Sequence, residues 1–328
     1  MSDITDAHAD RLISIMRARG QKPVRLNFSD IPARASLTFR NSRDQRDGEI
    51  RILTNNQIMN LQDIGSIWWR KPISFGFPED LDKQQQAFAT EEMEHTIYGI
   101  LFSLDCFWIS RPDNIRNAGY KIEQLQRAAR FGFEVPRTIV TTDPDAALEF
   151  YDECGGEMVY KVLSDPYLAL RKLSADEAHA VPVRFVETTL IGQKELDLLD
   201  SVRVTPCQFQ EKIPKRTELR VTVIGDEVFA AEIFSQEHAR AAVDWRQFDL
   251  DIRYEKATLP HAITSGCLAL TRSYGLNYSA IDLIHTPDDR YVFLEINPNG
   301  QFLFVEDRVP ELRMAEELVS CLVHGGAK

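Results

Sequence analysis

The sequence predicts a mixed α/β (α+β) protein of two or three domains, and three observations carry that reading. The chain has 328 residues, which at roughly 150 residues per domain makes about two domains or three small ones. Helical and extended patterns alternate as far as Glu153. Beyond Met158 extended segments dominate, with hairpin signals at Gly225-Asp226 and Pro287–Arg290.

Taken in order, Thr5 is placed to cap a helix running to Arg19, with Leu12, Ile13, Ile15 and Met16 as its apolar stripe and Gly20 as its stop. Val24–Phe28 reads as a strand. Ser36–Arg40 and Glu49–Leu53 alternate about an Asp47-Gly48 turn and read as a hairpin. Ser66–Trp69 is a further short strand. Asp80–Leu104 carries Phe88, Met93, Ile97, Ile100, Leu101 and Leu104 at helical spacing. A helix at Gly119–Phe131, a strand at Thr138–Thr141 and a helix at Pro144–Glu153 follow. Met158–Leu163, Val183–Val186 and Pro206–Glu211 are extended; Leu219–Ile224 and Glu227–Phe234 form the first late hairpin. A helix at Pro260–Tyr274 precedes the second, Ser279–His285 with Tyr291–Ile296. A helix from Glu311 to Leu322 ends the pattern. Domain breaks fall near Arg111–Asn117 and Thr141–Asp143.

Composition narrows the function. Lys and Arg number 38 against 50 Asp and Glu, a formal charge of −12, so a nucleic-acid backbone is not the expected partner. No apolar run reaches the about 20 residues of a membrane helix, and the N-terminus has no signal-peptide pattern. The five cysteines and seven histidines are scattered, with no zinc spacing. The expectation is a cytoplasmic protein.

The most informative stretch is Ser279–Gly300. A turn at Pro287–Arg290 that pairs Thr286 with Tyr291 sets Asp282 opposite Glu295. Asn297 falls on the same face by the period of two. Ile281, Leu283, Val292, Leu294 and Ile296 take the other, core face. Two facing carboxylates need a compensating cation, and an all-oxygen set suits Mg²⁺; the alternative is a solvated edge hairpin. On the earlier hairpin Glu218, Arg220 and Thr222 share a face opposite Leu219, Val221 and Val223. Arg220 suits a phosphoryl oxygen, or is an ordinary exposed strand arginine. Lys161 either leans to solvent or reaches a nucleotide, and Lys121 alone is an ordinary helix-start lysine.

Together, Lys161, Gln210-Glu211-Lys212-Ile213, Glu218-Leu219-Arg220, and Asp282 with Glu295-Ile296-Asn297-Pro298-Asn299-Gly300 resemble the ATP-grasp ligases. Trp68-Trp69-Arg70-Lys71-Pro72, Glu218–Gly225, Asp244-Trp245-Arg246 and Glu295–Phe302 are similar to the ATP-grasp ribosomal peptide maturases, which make graspetides of the microviridin type. The resemblance spans nearly the whole chain. Glu295–Gln301 is its most specific part.

The resemblance implies an ATP-grasp fold: an N-terminal α/β pre-ATP-grasp domain over 1–115, a central subdomain over 116–206, and a C-terminal domain over 207–328 carrying the metal. It implies ATP and Mg²⁺. Lys121 and Lys161 would contact phosphates; Gln210, Glu211 and Ile213 would line the adenine pocket, partly through backbone. Glu218 would lie near ribose or substrate, Arg220 would act on the γ-phosphate as the catalytic residue, and Asp282, Glu295 and Asn297 would hold Mg²⁺. Two departures stand out. The opening strand is only Met1–Thr5, and Glu218 replaces an Asp common in relatives.

The activity so implied is ATP-dependent macrocyclisation of a ribosomal precursor peptide with a leader segment. An acyl phosphate on Asp or Glu would be attacked by Ser, Thr or Lys to give an ester or amide. Trp69, Arg70, Trp245 and Arg246 are substrate-binding candidates, with core or loop-anchoring roles as the alternative. The Gly225 hairpin or Ser164–Arg184 would cover the site. Two other activities stay open: an ATP-grasp ligase for free amino acids or a protein terminus, and a non-catalytic ATP- or peptide-binding module. A homodimer is also left open.

Overall fold

A computed structural model describes the chain except residues 3, 44–45, 54–55, 73, 165–185, 248 and 326–328. The expected strand Val183–Val186 and Ser164–Arg184, one of the two candidate covers, lie almost wholly outside the described residues. The chain divides into two units. One holds Met1–Ile115, Gly275–Tyr278 and the residues from Arg313 onward; the other holds Arg116–Tyr274 and Ser279–Leu312.

In the first unit, the opening helix is Ala7–Ala18, and its cap is Asp6 rather than Thr5, because the Asp6 carboxylate accepts from the His8 amide at 2.9 Å. Val24–Phe28 forms no strand; its end turns into a 3-10 helix at Phe28–Asp30, while Leu26 and Phe28 are buried in the core. The hairpin is present as β1 (Ala35–Asn41) and β2 (Arg46–Ile52), joined antiparallel by β3 (Gln57–Asn60). Its turn is not Asp47-Gly48, which lies inside β2 with Gly48 facing Phe39. A Cβ at Gly48 would meet Leu61 Cδ1 at 2.5 Å, so this glycine serves packing rather than turning. β4 (Ser66–Trp68) pairs in parallel with β5 (Phe107–Ile109). The long helix is Lys83–Phe102, started by an Asp82/Gln85 capping box. The last helix, Met314–His324, packs beside the first.

The second unit holds two sheets. Four strands run in the order β6 (Thr138–Thr141), β9 (Cys207–Glu211), β7 (Met158–Lys161), β8 (Thr189–Leu190). The Pro144–Glu153 helix contributes Ala147 and Phe150 to a core with Met158, Val202 and Phe209. Five strands run β12 (Tyr254–Lys256), β11 (Glu227–Ile233), β10 (Thr217–Ile224), β13 (Tyr278–His285), β14 (Tyr291–Asn297). β10 is the middle strand, and all eight of its residues are buried, as for a strand covered on both faces. The His261–Ser273 helix packs over β10 and β11. Gly225 takes the left-handed conformation at the β10–β11 turn, with φ +59°.

The β13–β14 hairpin carries one correction. His285, not Thr286, pairs with Tyr291. A bulge after Asp282 then adds one residue to β14 and restores Asp282 opposite Glu295. Phe293 becomes fully buried, and Leu294 leaves the expected core face for the wall of a cleft.

Candidate active site

A cleft of about 590 Å³ opens in the second unit, within the range of small-molecule sites. β7 ends there with Lys161, β9 contributes Gln210 and Glu211, and the turn after β9 contributes Ile213, Pro214 and Lys215. Glu218, Asp282 and Glu295 line it from the five-stranded sheet, and Lys121 from the first position of the Lys121–Arg130 helix.

The carboxylates do not stand bare. Arg220 Nη1 donates to both oxygens of Asp282, at 2.9 and 3.0 Å, and Nη2 donates to the Gln301 carbonyl at 3.1 Å. Lys121 Nζ lies 3.0 Å from Glu295 Oε2 and donates to the Val162 carbonyl at 2.9 Å. Asn297 Nδ2 bridges Asp282 and Glu295, 3.2 Å from each. Arg220 is only 6% exposed, which rules out the exposed-strand alternative. The repulsion between Asp282 and Glu295 is therefore relieved by the chain's own cations.

Electrostatics divides the pair. Burial pushes Glu295 up, but Lys121, Lys161 and Arg246 outweigh it and hold its carboxyl well below the usual range. At Asp282 burial wins; Arg220 opposes, Glu295 adds, and the group sits above its ordinary value. Burial draws Lys161 down to about 8, against the pull of Glu295 and with the push of Lys121. Glu218 is raised by burial despite its ion pair with Lys215, and its Oε2 has no hydrogen-bond partner among the described residues.

Gln210 is buried and donates from Nε2 to Thr138 Oγ1 at 3.0 Å. The Glu211 carboxylate accepts from the Arg137 backbone at 2.7 Å and from its Nε at 2.8 Å, and the Glu211 N–H donates to the Arg137 carbonyl at 3.0 Å. Ile213 packs with Ile284, Val292 and Leu294, giving a flat apolar wall. Trp245 and Arg246 also line the cleft. Asp244 fixes Arg246 through Nε and Nη2, both at 2.8 Å, and Trp245 stacks on Phe304 at 5.3 Å.

Trp69 and Arg70 behave differently. They lie in the first unit, 6% and 2% exposed. Trp69 packs on Phe28 and Tyr98, and Arg70 Nε pairs with Asp6 at 3.2 Å. Trp69 belongs to the core of that unit, and Arg70 is buried beside Asp6. The reading by sequence missed Lys215, Ile284 and Leu294 at the cleft. It also gave Asp244 no role, although the Asp-x-Arg spacing on a tight turn was a usable signal.

The pattern of the MvdD pre-ATP grasp domain matches residues 5–116. Over nearly the full chain the fold is similar to macrocyclase MdnC of Microcystis aeruginosa MRC, solved with its precursor peptide MdnA. That match has 29% identity and a TM-score of 0.84, covering 99% of this chain and 98% of that one. It is also similar to a RiPP-associated ATP-grasp ligase of Chryseobacterium gregarium, solved with ADP, a leader and a core peptide. Here identity is 28% and the TM-score 0.87, covering 99% and 95%. Residues 5–116 thus match an MvdD-type pre-ATP grasp domain, and the whole chain has the fold of the RiPP ATP-grasp ligases it resembles. A more distant curated relative is the glutamate–LysW ligase ArgX of Sulfolobus acidocaldarius, 26% identical over 224 residues, 67% of this chain and 74% of that protein.

An ATP-grasp maturase is an ATP-dependent ligase, and the donor set bears on its metal. Among the described residues no three His, Cys, Asp or Glu side chains form a metal cluster; the set is two carboxylates and an amide. Turning the Asn297 amide over would replace its bridging Nδ2 by Oδ1 and leave an all-oxygen set. These residues fit a hard divalent cation.

Proposed function

We propose that this chain uses ATP to activate a side-chain carboxylate of a ribosomal precursor peptide and closes a ring by joining it to a hydroxyl or amine of the same peptide. The observation that carries this is the cluster of Lys121, Lys161, Arg220 and Arg246 around Asp282 and Glu295 at one cleft. Its charge suits a triphosphate inside a protein of net charge −12. The domain reading 1–115, 116–206 and 207–328 goes with it.

In this reading Lys121 and Lys161 hold the phosphates. The apolar wall of Ile213, Ile284 and Leu294 takes adenine, with Gln210 and the Glu211 backbone at its edge. The unpartnered Glu218 Oε2 suits a ribose hydroxyl or a peptide donor. Asp282, Glu295 and Asn297 would hold Mg²⁺, which when bound neutralises charge on the transferring phosphoryl group. Arg220 stabilises that charge as the peptide carboxylate oxygen attacks the γ-phosphorus and ADP leaves, giving an acyl phosphate. The hydroxyl or amine then attacks the acyl carbon, phosphate departs, and the nucleophile's proton is released. Arg246, held by Asp244, and Trp245 contact the peptide. Water must stay out, since hydrolysis of the acyl phosphate would waste ATP.

The similarity to a glutamate–LysW ligase supports a second reading, ligation of a free amino acid through the same acyl phosphate. Hydroxylamine trapping tests the shared step. With ATP, Mg²⁺ and precursor peptide, the expected product is a hydroxamate on a peptide Asp or Glu. A peptide left unmodified while ADP accumulates contradicts peptide activation.

A further inference from the structure

Arg220 is seated by backbone as well as by Asp282. Its Nη2 donates to the Gln301 carbonyl at 3.1 Å, and its guanidinium lies 5.8 Å from the centroid of the Phe304 ring. The intervening approach is close. A Cβ at Gly300 would stand 2.8 Å from Arg220 Nη2, 2.6 Å from the Ala280 Cβ and 3.2 Å from the Asn297 Cβ. Only a residue without a side chain lets the loop after β14 meet the guanidinium in this way.

We infer that Gly300 is a positioning residue for the phosphoryl-transfer step: its bare backbone sets the depth of the Arg220 guanidinium against Asp282. The guanidinium is gripped from two sides, because the Asp282 carboxylate and the Gln301 carbonyl lie on opposite nitrogens. A methyl group at Gly300 displaces Nη2 and breaks that geometry while leaving every cleft side chain in the sequence. This rests on Arg220 acting on the phosphoryl group as proposed above.

The same Cβ also meets Ala280, and this makes the inference separable from a plain packing effect. Gly300→Ala relieved by Ala280→Gly loses the 2.6 Å contact but keeps the 2.8 Å one. Thermal stability, and kcat and KM for ATP and peptide, are measured for Gly300→Ala, the double variant, Ala280→Gly and Arg220→Ala. The expected result is a kcat lowered about 10²-fold in Gly300→Ala, the scale of a 1 Å misplacement, with both KM values within about twofold. The double variant should regain melting temperature but not kcat, and it supplies the answer if Gly300→Ala alone does not fold. Recovery of kcat together with stability in the double variant overturns the inference, as does normal kcat in Gly300→Ala. A normal kcat in Arg220→Ala overturns the underlying reading instead.

Discussion

Asp282 faces Glu295 across the β13–β14 pair, one step from a bulge, and the two acids differ in state. Glu295 is held ionised by Lys121, Lys161 and Arg246, whereas burial raises Asp282 against the pull of Arg220. Removing the Glu295 charge should therefore leave two lysines facing each other without their shared counter-ion. Glu295→Gln should fold and should lower turnover at least about 10²-fold, with at most partial recovery at raised Mg²⁺. Steady-state ADP release checks this, and near-normal turnover contradicts the assignment.

The bulge itself is testable. Phe293 is fully buried against Phe133 at 5.7 Å, while its neighbour Leu294 lines the cleft. Phe293→Ala should cost about 3–5 kcal/mol of stability. Leu294→Ala should cost much less and instead raise the KM for ATP. Denaturant unfolding and ATP titration separate the two; the reverse pattern would mean that an unbulged register holds.

That bulge also marks the limit of what could be read in the residues. The pairing of Asp282 with Glu295 was legible, yet by a route with two compensating errors: the turn was displaced by one residue, and the bulge put it back. The run Tyr291-Val292-Phe293-Leu294 is apolar throughout, so no alternation announces the extra residue. Long patterned elements such as Lys83–Phe102 and Pro144–Glu153 were plain from capping and periodicity. Asp47-Gly48 misled because a glycine required for packing against Leu61 has the same letters as a turn. The burial of Trp69 and Arg70 was not legible, because an aromatic–cation pair looks alike on a surface and in a core. Lys215 was invisible because its value lies in reaching Glu218 and the Val243 carbonyl, the latter at 2.9 Å.

Lys161 and Arg220 should fail differently. Lys161→Ala should raise the KM for ATP about tenfold with a modest change in kcat. Arg220→Ala should mainly lower kcat, about 10²–10³-fold, because its charge is needed most as the phosphoryl group moves. Initial rates at varied ATP distinguish them. Two kinetically silent variants would return both residues to a structural role.

Asp6, in the first unit, supplies a pH dependence of stability. Burial pushes its carboxyl up, but the His8 hydrogen bond and Arg70 outweigh that and bring it down to about 2. A depressed carboxyl contributes stability at pH values above its ordinary pKa and loses it as pH falls toward the folded value. Asp6→Asn keeps a capping residue and removes only the charge. It should cost about 1–2 kcal/mol at pH 7, and its deficit from the unaltered protein should shrink between about pH 4 and pH 2. Urea unfolding across that range reads the difference, and a constant deficit contradicts the account.

The central claim is that this cleft joins two side chains of one peptide at the expense of ATP. Mass spectrometry of the cognate precursor incubated with enzyme, ATP and Mg²⁺ tests it most directly. The expected result is the loss of one water mass per ring, dependent on ATP, with fragmentation locating each link between an Asp or Glu and a Ser, Thr or Lys. A gain equal to a free amino acid residue, or unchanged peptide mass with ATP unconsumed, would contradict it.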